Sequence, residues 1–302
     1  MLISQKLEAM AADYKDARAT VGSFMLEQRS NLQNLSLQQV ADATYTSRST
    51  VVRIAKKLGY SGWNELARKY VDECRYYESH FANISPNHPF EKGDSPSAIV
   101  DKVGHVMVES ILDTIDMLDA DVLARAAALL ARSERIAMLC ISPNSILAEL
   151  FQRKMMQIGV HIELIQQSEQ SFHALSLGKC DCAIVISYSG NNASRAPMRY
   201  LSGLKERGVS IVAITSAGDN LLRSQADYVL TMSSREKLYS KIATFATEDS
   251  ISFLLNALYS CYFVLDYDKN LQYKINASRE IERQRYTSVR DAMEDDSFPL
   301  NK

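Results

Sequence analysis

The sequence predicts two parts of different class: an all-α bundle over residues 1–81 and a doubly wound α/β domain with a parallel sheet over residues 98–284. Three observations carry that division. Apolar residues recur at helical intervals through the first part. The stretch from Asn83 to Ser97, NISPNHPFEKGDSPS, then holds three of the six prolines, cannot continue a helix, and sets residues 82–97 apart as a linker. Beyond Ser133 short continuous apolar runs alternate with helical segments, the pattern of buried parallel strands joined by helices.

In the first part, residues 2–32 read as one or two helices, with Leu2, Leu7, Met10, Tyr14, Val21, Phe24, Met25 and Leu26 on one side. Ser36 suits an N-cap, because its hydroxyl can accept from an unpaired backbone N–H. Leu37, Val40 and Ala41 then form the stripe of a short helix. Ala43 to Thr46 make a turn, Ser47 caps a second helix, and Val51, Val52, Ile54, Ala55 and Leu58 largely share its inner side. Gly59 ends that helix. A further helix runs from Asn64 to about Phe81, and Tyr70, Tyr76, Tyr77 and Phe81 on it read as packing residues.

The outer face of the second helix is hydroxylated early and basic later. Two helices at an angle with such a face describe a helix-turn-helix, in which early positions meet base edges and basic ones meet phosphates. The DNA-binding candidates are Thr46, Ser47, Arg48, Ser49, Thr50, Arg53, Lys56, Lys57, Tyr60 and Ser61. Between Thr44 and Tyr70 six basic residues face Glu65 alone, a local charge of +5 in a chain of net charge −2. A local basic footprint on a near-neutral protein fits a regulator that binds phosphates at one end. A helical hairpin with a basic solvated face would show the same charge. The stretch VADATYTSRSTVVRIAKKLGYSGWNEL resembles the DNA-binding domain of the RpiR family of bacterial transcriptional regulators. The family pattern of Ser-x-x-Thr-Val-x-Arg, then Leu-Gly-aromatic-Ser-Gly-aromatic, stands here as Ser47, Thr50, Val51, Arg53, Leu58, Gly59, Tyr60, Ser61, Gly62 and Trp63. Tyr45 stands where the family often has a glycine that eases a positive φ, so the turn is expected to differ in shape.

In the second part, Ile99, Val103, Val106, Met107, Ile111, Ile115 and Leu118 predict a long amphipathic helix, and Asp121 caps another over Val122 to Arg132. Arg135 to Ser142 reads as a buried strand, Ile146 to Ile158 as a helix, and His161 to Ile165 as a strand. Cys182 to Ser187 is a strand, Ala193 to Arg207 a helix, and Ser210 to Thr215 a strand. A short helix at Asn220 to Gln225, a strand at Tyr228 to Met232 and a long helix over about Thr247 to Asp266 close the domain. Residues 285–302 are a polar tail.

Ligands of open α/β sheets bind outside the carboxyl ends of the strands. Three polar turns fall there: Ser142 to Ser145, Ser187 to Asn192, and Thr215-Ser216. Their hydroxyls, amides and expected helix N-termini favour an anion, and phosphate on a small polar molecule is the natural guest. Singly, each of these residues is also what a helix cap requires. Ser187-x-Ser-Gly, between a buried strand and a helix, points further toward a ligand, since Gly190 lets the backbone come close. From about Val106 to Asp266 the chain resembles the SIS, or sugar isomerase, domain, whose Ser-x-Ser-Gly-x-Thr signature is present as Ser187, Ser189 and Gly190 with Asn192 in place of Thr. The first loop departs from the family's Gly-x-Gly-x-Ser, keeping Ser145 alone. The resemblance implies a phosphosugar held by Ser145, Ser187, Ser189, Gly190, Asn191, Asn192 and Ser216.

A helix-turn-helix followed by a SIS domain is the RpiR arrangement. It implies a transcriptional regulator of sugar or amino-sugar genes whose affinity for double-stranded operator DNA is set by a phosphosugar. A homodimer, or a dimer of dimers, is expected, because paired half-sites engage two recognition helices. The alternative is a phosphosugar isomerase using the same pocket, which needs a placed acid and base. Glu169, His173, Glu248 and Asp249 are available but stand in no catalytic motif, so no enzyme activity is expected. Cys180-Asp-Cys182, on the edge of an apolar run, points its two thiols to one face of a strand, but no second Cys or His pair accompanies them, so neither a metal site nor a cofactor is expected, and five scattered cysteines make no disulfide framework. No run approaches the roughly 18 apolar residues of a membrane span, and the N-terminus lacks an apolar signal core, so the expected compartment is the cytoplasm.

Overall fold

The computed structural model describes residues 3–80 and 84–282, together with Val289. The polar tail apart from Val289, together with Leu2, Phe81 and the side chains of Tyr76 and Tyr77, lies outside the described residues. The chain divides into two compact units, one of residues up to 117 with 233–249, the other of residues 118–232 with those from 250 on. The fold class is a helical N-terminal region followed by a parallel-sheet α/β domain.

The first unit opens with α1 (Ile3–Asp13) and α2 (Ala17–Gln28), then a 3-10 turn (Arg29–Asn34), α3 (Leu37–Ala43), α4 (Arg48–Lys57) and α5 (Trp63–His80). Each helix contributes one stripe to a shared core. Ile3, Leu7 and Met10 come from α1, Val21 and Met25 from α2, and Val51, Ile54 and Ala55 from α4. On α5 the buried series Trp63, Leu66, Tyr70 and Cys74 follows the three-to-four spacing that keeps residues on one face. Glu73 on α5 accepts from the backbone N–H groups of Ile3 and Ser4 at 2.7 and 2.9 Å, supplying a carboxylate to the donors at the start of α1.

The segment 84–95 leads into α6 (Pro96–Met117). Asn87 is buried and accepts from the Lys237 N–H at 2.6 Å. The face that α6 buries differs from the one its apolar residues predict. The buried side chains are Val106, Glu109, Ser110, Asp113 and Thr114. Arg235 explains the inversion, since it donates to Glu109 at 2.8 Å and lies 3.6 Å from Asp113. Val100, Met107, Val108 and Ile115 are left 40–73% exposed. In the same unit the buried carboxylate of Glu236 accepts from the Ala246 N–H at 2.6 Å and the Thr247 hydroxyl at 2.7 Å, with Lys241 at 2.9 Å. It thereby caps the start of α12 (Phe245–Val264).

The second unit is built on five parallel strands: β1 (Ile136–Leu139), β2 (Glu163–Leu164), β3 (Cys182–Ser187), β4 (Ser210–Ser216) and β5 (Tyr228–Met232). Their order is β2-β1-β3-β4-β5, with β3 aligned so that Val185 faces Leu139 on one side and Ala213 on the other. Alternate side chains go to opposite faces of a strand. Ile136, Met138, Ile184, Ile186, Val212 and Ile214 meet α7 (Ala120–Arg132), α8 (Asn144–Met156) and the body of α12. Ala137, Leu139, Ala183, Val185, Ile211 and Ala213 meet α9 (Gln170–Ser176), α10 (Leu201–Glu206) and α11 (Leu221–Gln225). At the foot of the sheet Asp181 accepts from Arg135 at 2.7 Å and from the Gly178 N–H at 2.8 Å. Burial alone would raise the Asp181 pKa, but those donors hold the carboxyl below the usual carboxylate range.

Four expectations are corrected. Asp119, not Asp121, caps α7, accepting from the N–H groups of Asp121 and Val122. The helix read from Ala193 to Arg207 shrinks to a 3-10 turn (Met198–Tyr200) and α10, because Pro197 has no N–H and restricts the residue before it. Helix α9, in a polar stretch, and α13 (Tyr267–Glu282), past the expected end of the closing helix, were not foreseen. Finally, Cys180 is exposed ahead of β3 while Cys182 is buried on it, so the two thiols do not share a strand face.

Candidate functional site

Two places in the chain gather the predicted residues. The first is the pair α3 and α4. Ser36 and Gln39 cap α3 reciprocally, the Ser36 N–H donating to the Gln39 side chain at 2.8 Å and the Gln39 N–H to the Ser36 hydroxyl at 3.3 Å. The turn after α3 closes with the Thr46 N–H on the Ala41 carbonyl at 2.8 Å and the Tyr45 N–H on the Asp42 carbonyl at 3.2 Å. That is the double bond pattern a left-handed residue makes at a helix end. Tyr45 supplies it with φ at 52°, so the expected change of turn shape does not occur. Past α4 the same pattern recurs with Gly59, at φ 93°: the Tyr60 N–H reaches the Ala55 carbonyl and the Gly59 N–H that of Lys56.

Ser47 caps α4 by accepting from the Thr50 N–H at 3.2 Å, and its hydroxyl lies 2.8 Å from that of Ser49 and 2.9 Å from that of Thr50. Burying Val51, Ile54 and Ala55 turns Arg48, Ser49, Arg53, Lys56 and Lys57 to solvent. Leu37, Arg48, Ser49, Val52, Arg53 and Lys56 line one open depression of about 570 Å³. Among the described residues, the side chains of Arg48, Arg53 and Lys56 make no hydrogen bond or ion pair, which leaves three cations around an apolar floor.

The remaining candidates of this group are held elsewhere. The Thr46 hydroxyl lies 3.0 Å from that of Thr44 inside the turn. Lys57 leans to the Tyr14 ring, 5.3 Å from its centroid. Tyr60 sits between Lys6 and Lys69, at 5.3 and 5.7 Å, and burial raises its phenol pKa. Ser61 donates its hydroxyl and its N–H to Glu65, each at 2.7 Å, and those bonds hold the Glu65 carboxyl at about 2.

The second place lies at the carboxyl ends of β1, β3 and β4, where the strand order reverses between β1 and β3. The loop 187–192 folds onto the start of α11. The Leu222 N–H donates to the Gly190 carbonyl at 2.9 Å, the Leu221 N–H to the Asn191 side chain at 3.0 Å, and the Ser216 N–H to the Tyr188 carbonyl at 3.2 Å. Gly190, at φ 62°, leaves no room for a side chain, since a Cβ would stand 2.5 Å from Asn220 Oδ1 and 2.9 Å from Thr215 Oγ1. Asn220 and the buried Thr215 are bonded to each other at 3.2 Å. Both are absent from the predicted set; the strand end at Thr215 and the N-cap pattern at Asn220 were the legible signals.

The loop after β3 opens no helix, contrary to expectation, so no helix terminus faces a ligand there. Among the described residues the backbone N–H groups of Ser189, Asn191 and Asn192 are unpaired, and successive N–H groups of a turn can hold an anion without one. Ser187 is engaged as acceptor for the Gly190 N–H at 3.3 Å, and the Asn192 side chain accepts from Ser194 at 2.9 Å. Ser189 and Ser216 are partly exposed, as is Ser145 in the first turn of α8. Asn191, by contrast, spends its carbonyl oxygen on α11. Gln170 fixes the end of β1 from below, donating to the Cys140 carbonyl at 2.8 Å. Among the residues weighed for acid and base roles, His173 lies 3.6 Å from Glu163 on the edge strand.

Both parts of the chain are similar to known proteins. Residues 1–73 match the helix-turn-helix domain of the rpiR family, and residues 129–259 match the SIS domain. An uncharacterised HTH-type transcriptional regulator of Caldanaerobacter subterraneus is 26% identical over 235 residues, 77% of this chain and 80% of the relative. The Vibrio vulnificus NanR protein, in complex with ManNAc-6P, superposes with a TM-score of 0.56 at 18% identity over 94% of this chain and all of that one. The sugar isomerase domain of an RpiR transcription factor from Sphaerobacter thermophilus gives a TM-score of 0.52 at 17% identity, over 60% of this chain and 98% of that one.

Replacing Gly190 by alanine combines a left-handed backbone with overlap against Asn220. Gly190→Ala is expected to destabilise the α/β domain by about 2–4 kcal/mol in a denaturant titration.

Proposed function

The chain belongs to the RpiR family of helix-turn-helix transcriptional regulators, and on that premise we propose that α4 enters the major groove of operator DNA while a phosphosugar at the ends of β1, β3 and β4 sets the affinity. The observation that carries the DNA reading is the solvent face of α4, a hydroxyl cluster in its first turn followed by unpaired cations. Ser47, Ser49 and Thr50 meet base edges in this reading. Arg48, Arg53 and Lys56 meet phosphates or guanines, as their charge and reach suit them to do. Thr46, Lys57, Tyr60 and Ser61 flank that contact, in the turn before α4, at its last residue and beyond its end.

For the effector, the supporting features are the unpaired N–H groups of Ser189, Asn191 and Asn192, with the hydroxyls of Ser187, Ser189, Ser145 and Ser216 around them. Gly190 is the packing pivot of this set, not a contact. A neutral cradle of this kind can bind phosphate by hydrogen bonds alone. Sugar or amino-sugar phosphates are the effector class, ManNAc-6P among them. The effector acts only by its differential affinity for two states of the regulator.

We read the chain as a homodimer, supported by the exposed apolar row Val100, Met107, Val108 and Ile115 along α6. It works in the cytoplasm, where its DNA is, and among the described residues no helix is long and apolar enough to cross a membrane. We take it not to be an enzyme. An isomerase needs a proton-transfer pair facing the sugar, and His173 is turned to Glu163 while Glu248 is bonded to Thr244.

Three measurements test this reading. Arg53→Ala should weaken binding to duplex DNA and reduce the slope of log affinity against log salt by about one, while Arg125→Ala on α7 changes neither; equal effects sink the assignment of α4. Thermal melts of the full chain against a panel of hexose and amino-sugar phosphates should reveal a stabilising ligand, worth about 2.7 kcal/mol at a hundredfold excess over its Kd. Ser189→Ala should lose that stabilisation yet still bind DNA, and an intact ligand shift in this variant would remove the pocket from the reading. Light scattering should give a dimer that Ile115→Lys dissociates; a wild-type monomer would end the dimer proposal.

A further inference from the structure

Tyr45 is the residue of the helix-turn-helix that its own fold does least to justify. Its φ of 52° lies in the left-handed region, which costs an ordinary side chain roughly 1–2 kcal/mol and glycine almost nothing. Bulky residues tolerate that cost when packing repays it, but the Tyr45 side chain is 96% exposed. Nor does the turn need an aromatic ring. Its closure rests on backbone bonds from Thr46 and Tyr45, which glycine would make as well. An aromatic residue held in a strained conformation and turned wholly outward has its use outside the chain.

The surface it faces follows from its place. Tyr45 stands two residues before Ser47, the cap of α4, and two extended residues reach at most about 7 Å. The major groove is about 12 Å wide. With the first turn of α4 on the groove floor, the preceding turn therefore stands at the wall, where the phosphates run. We propose that Tyr45 is a DNA-anchoring residue, its phenol O–H donating to a backbone phosphate at the rim of the groove that α4 occupies. The proposal rests on the DNA-binding role of α4. It adds a contact of another kind, neutral and indifferent to base sequence, which fixes how deeply the hydroxyl cluster of Ser47, Ser49 and Thr50 sits. The preset left-handed turn aims the ring before DNA arrives, so little freedom is lost on contact.

The test uses the full chain, a mixed-sequence duplex of about 30 base pairs, and the variants Tyr45→Phe and Tyr45→Gly. Fluorescence anisotropy at low salt gives affinity and its salt slope, and thermal melts give stability. Tyr45→Phe keeps the ring and loses the donor; it should bind roughly tenfold more weakly, the scale of one hydrogen bond to a charged group. Tyr45→Gly should bind at least as weakly as the Phe variant, with a melting temperature equal to or above that of the wild type. The salt slope should not change in either, because a neutral side chain displaces no counterion. Full affinity in Tyr45→Phe overturns the proposal, and so does a lower melting temperature in Tyr45→Gly, which would make the ring structural. If the wild type itself fails to bind any duplex, the DNA-binding reading falls and this inference with it; unchanged binding by both variants beside a wild type that binds removes Tyr45 alone.

Discussion

Strand β3 is closed to water over all but its last residue. From Cys182 to Ile186 every side chain is fully buried, and both edges are taken by parallel neighbours, β1 and β4. Parallel strands cannot be joined by tight turns, so each crossover must carry a helix, and those helices supply the cover that both faces of β3 require. The remaining freedom of the chain is concentrated where the strand ends, at Ser187. There the polypeptide leaves an apolar environment within one residue and needs partners for its backbone at once. It finds some of them in the start of α11 and, among the described residues, leaves others unmet, so the polar loop is a by-product of burying the strand before it.

The helical region obeys a different economy of short-range bonds. Helices as short as α3 and α4 are marginal by themselves. Each is closed at both ends, by Ser36 with Gln39 and by Ser47 in front, and by left-handed residues behind. With the ends saturated locally, burial of two or three side chains is enough to orient each helix, and the opposite face is free to vary. That separation of support from surface lets Arg48, Arg53 and Lys56 share one open face whose side chains have no partner among the described residues.

Much of this was legible because the causes were local. Capping residues, the ending at Gly59 and the continuous apolar strands act over a few positions and print themselves on the sequence. The misreadings have distant causes. The inward face of α6 looks wrong until Arg235, 126 positions from Glu109, supplies the counter-charge. The tie of the Asn191 side-chain oxygen to the Leu221 N–H, 30 positions on, is likewise set by a distant partner that no local pattern shows. The missing helix after β3 is an exception, since its cause is local: Pro197 has no N–H and restricts the residue before it, against the apolar spacing across Ala193 to Arg207.

The capping of α12 by Glu236 bears on where a negatively charged guest can settle. A twenty-residue helix offers a concentrated positive pole at its first turn, and an open one would compete for any phosphate in solution. Here the pole is neutralised from inside, by a carboxylate that Lys241 in turn balances. An anion arriving from outside meets a terminus already at electrostatic rest. On the reading proposed for the loop beyond β3, a phosphate seated there meets no open rival at the start of α12.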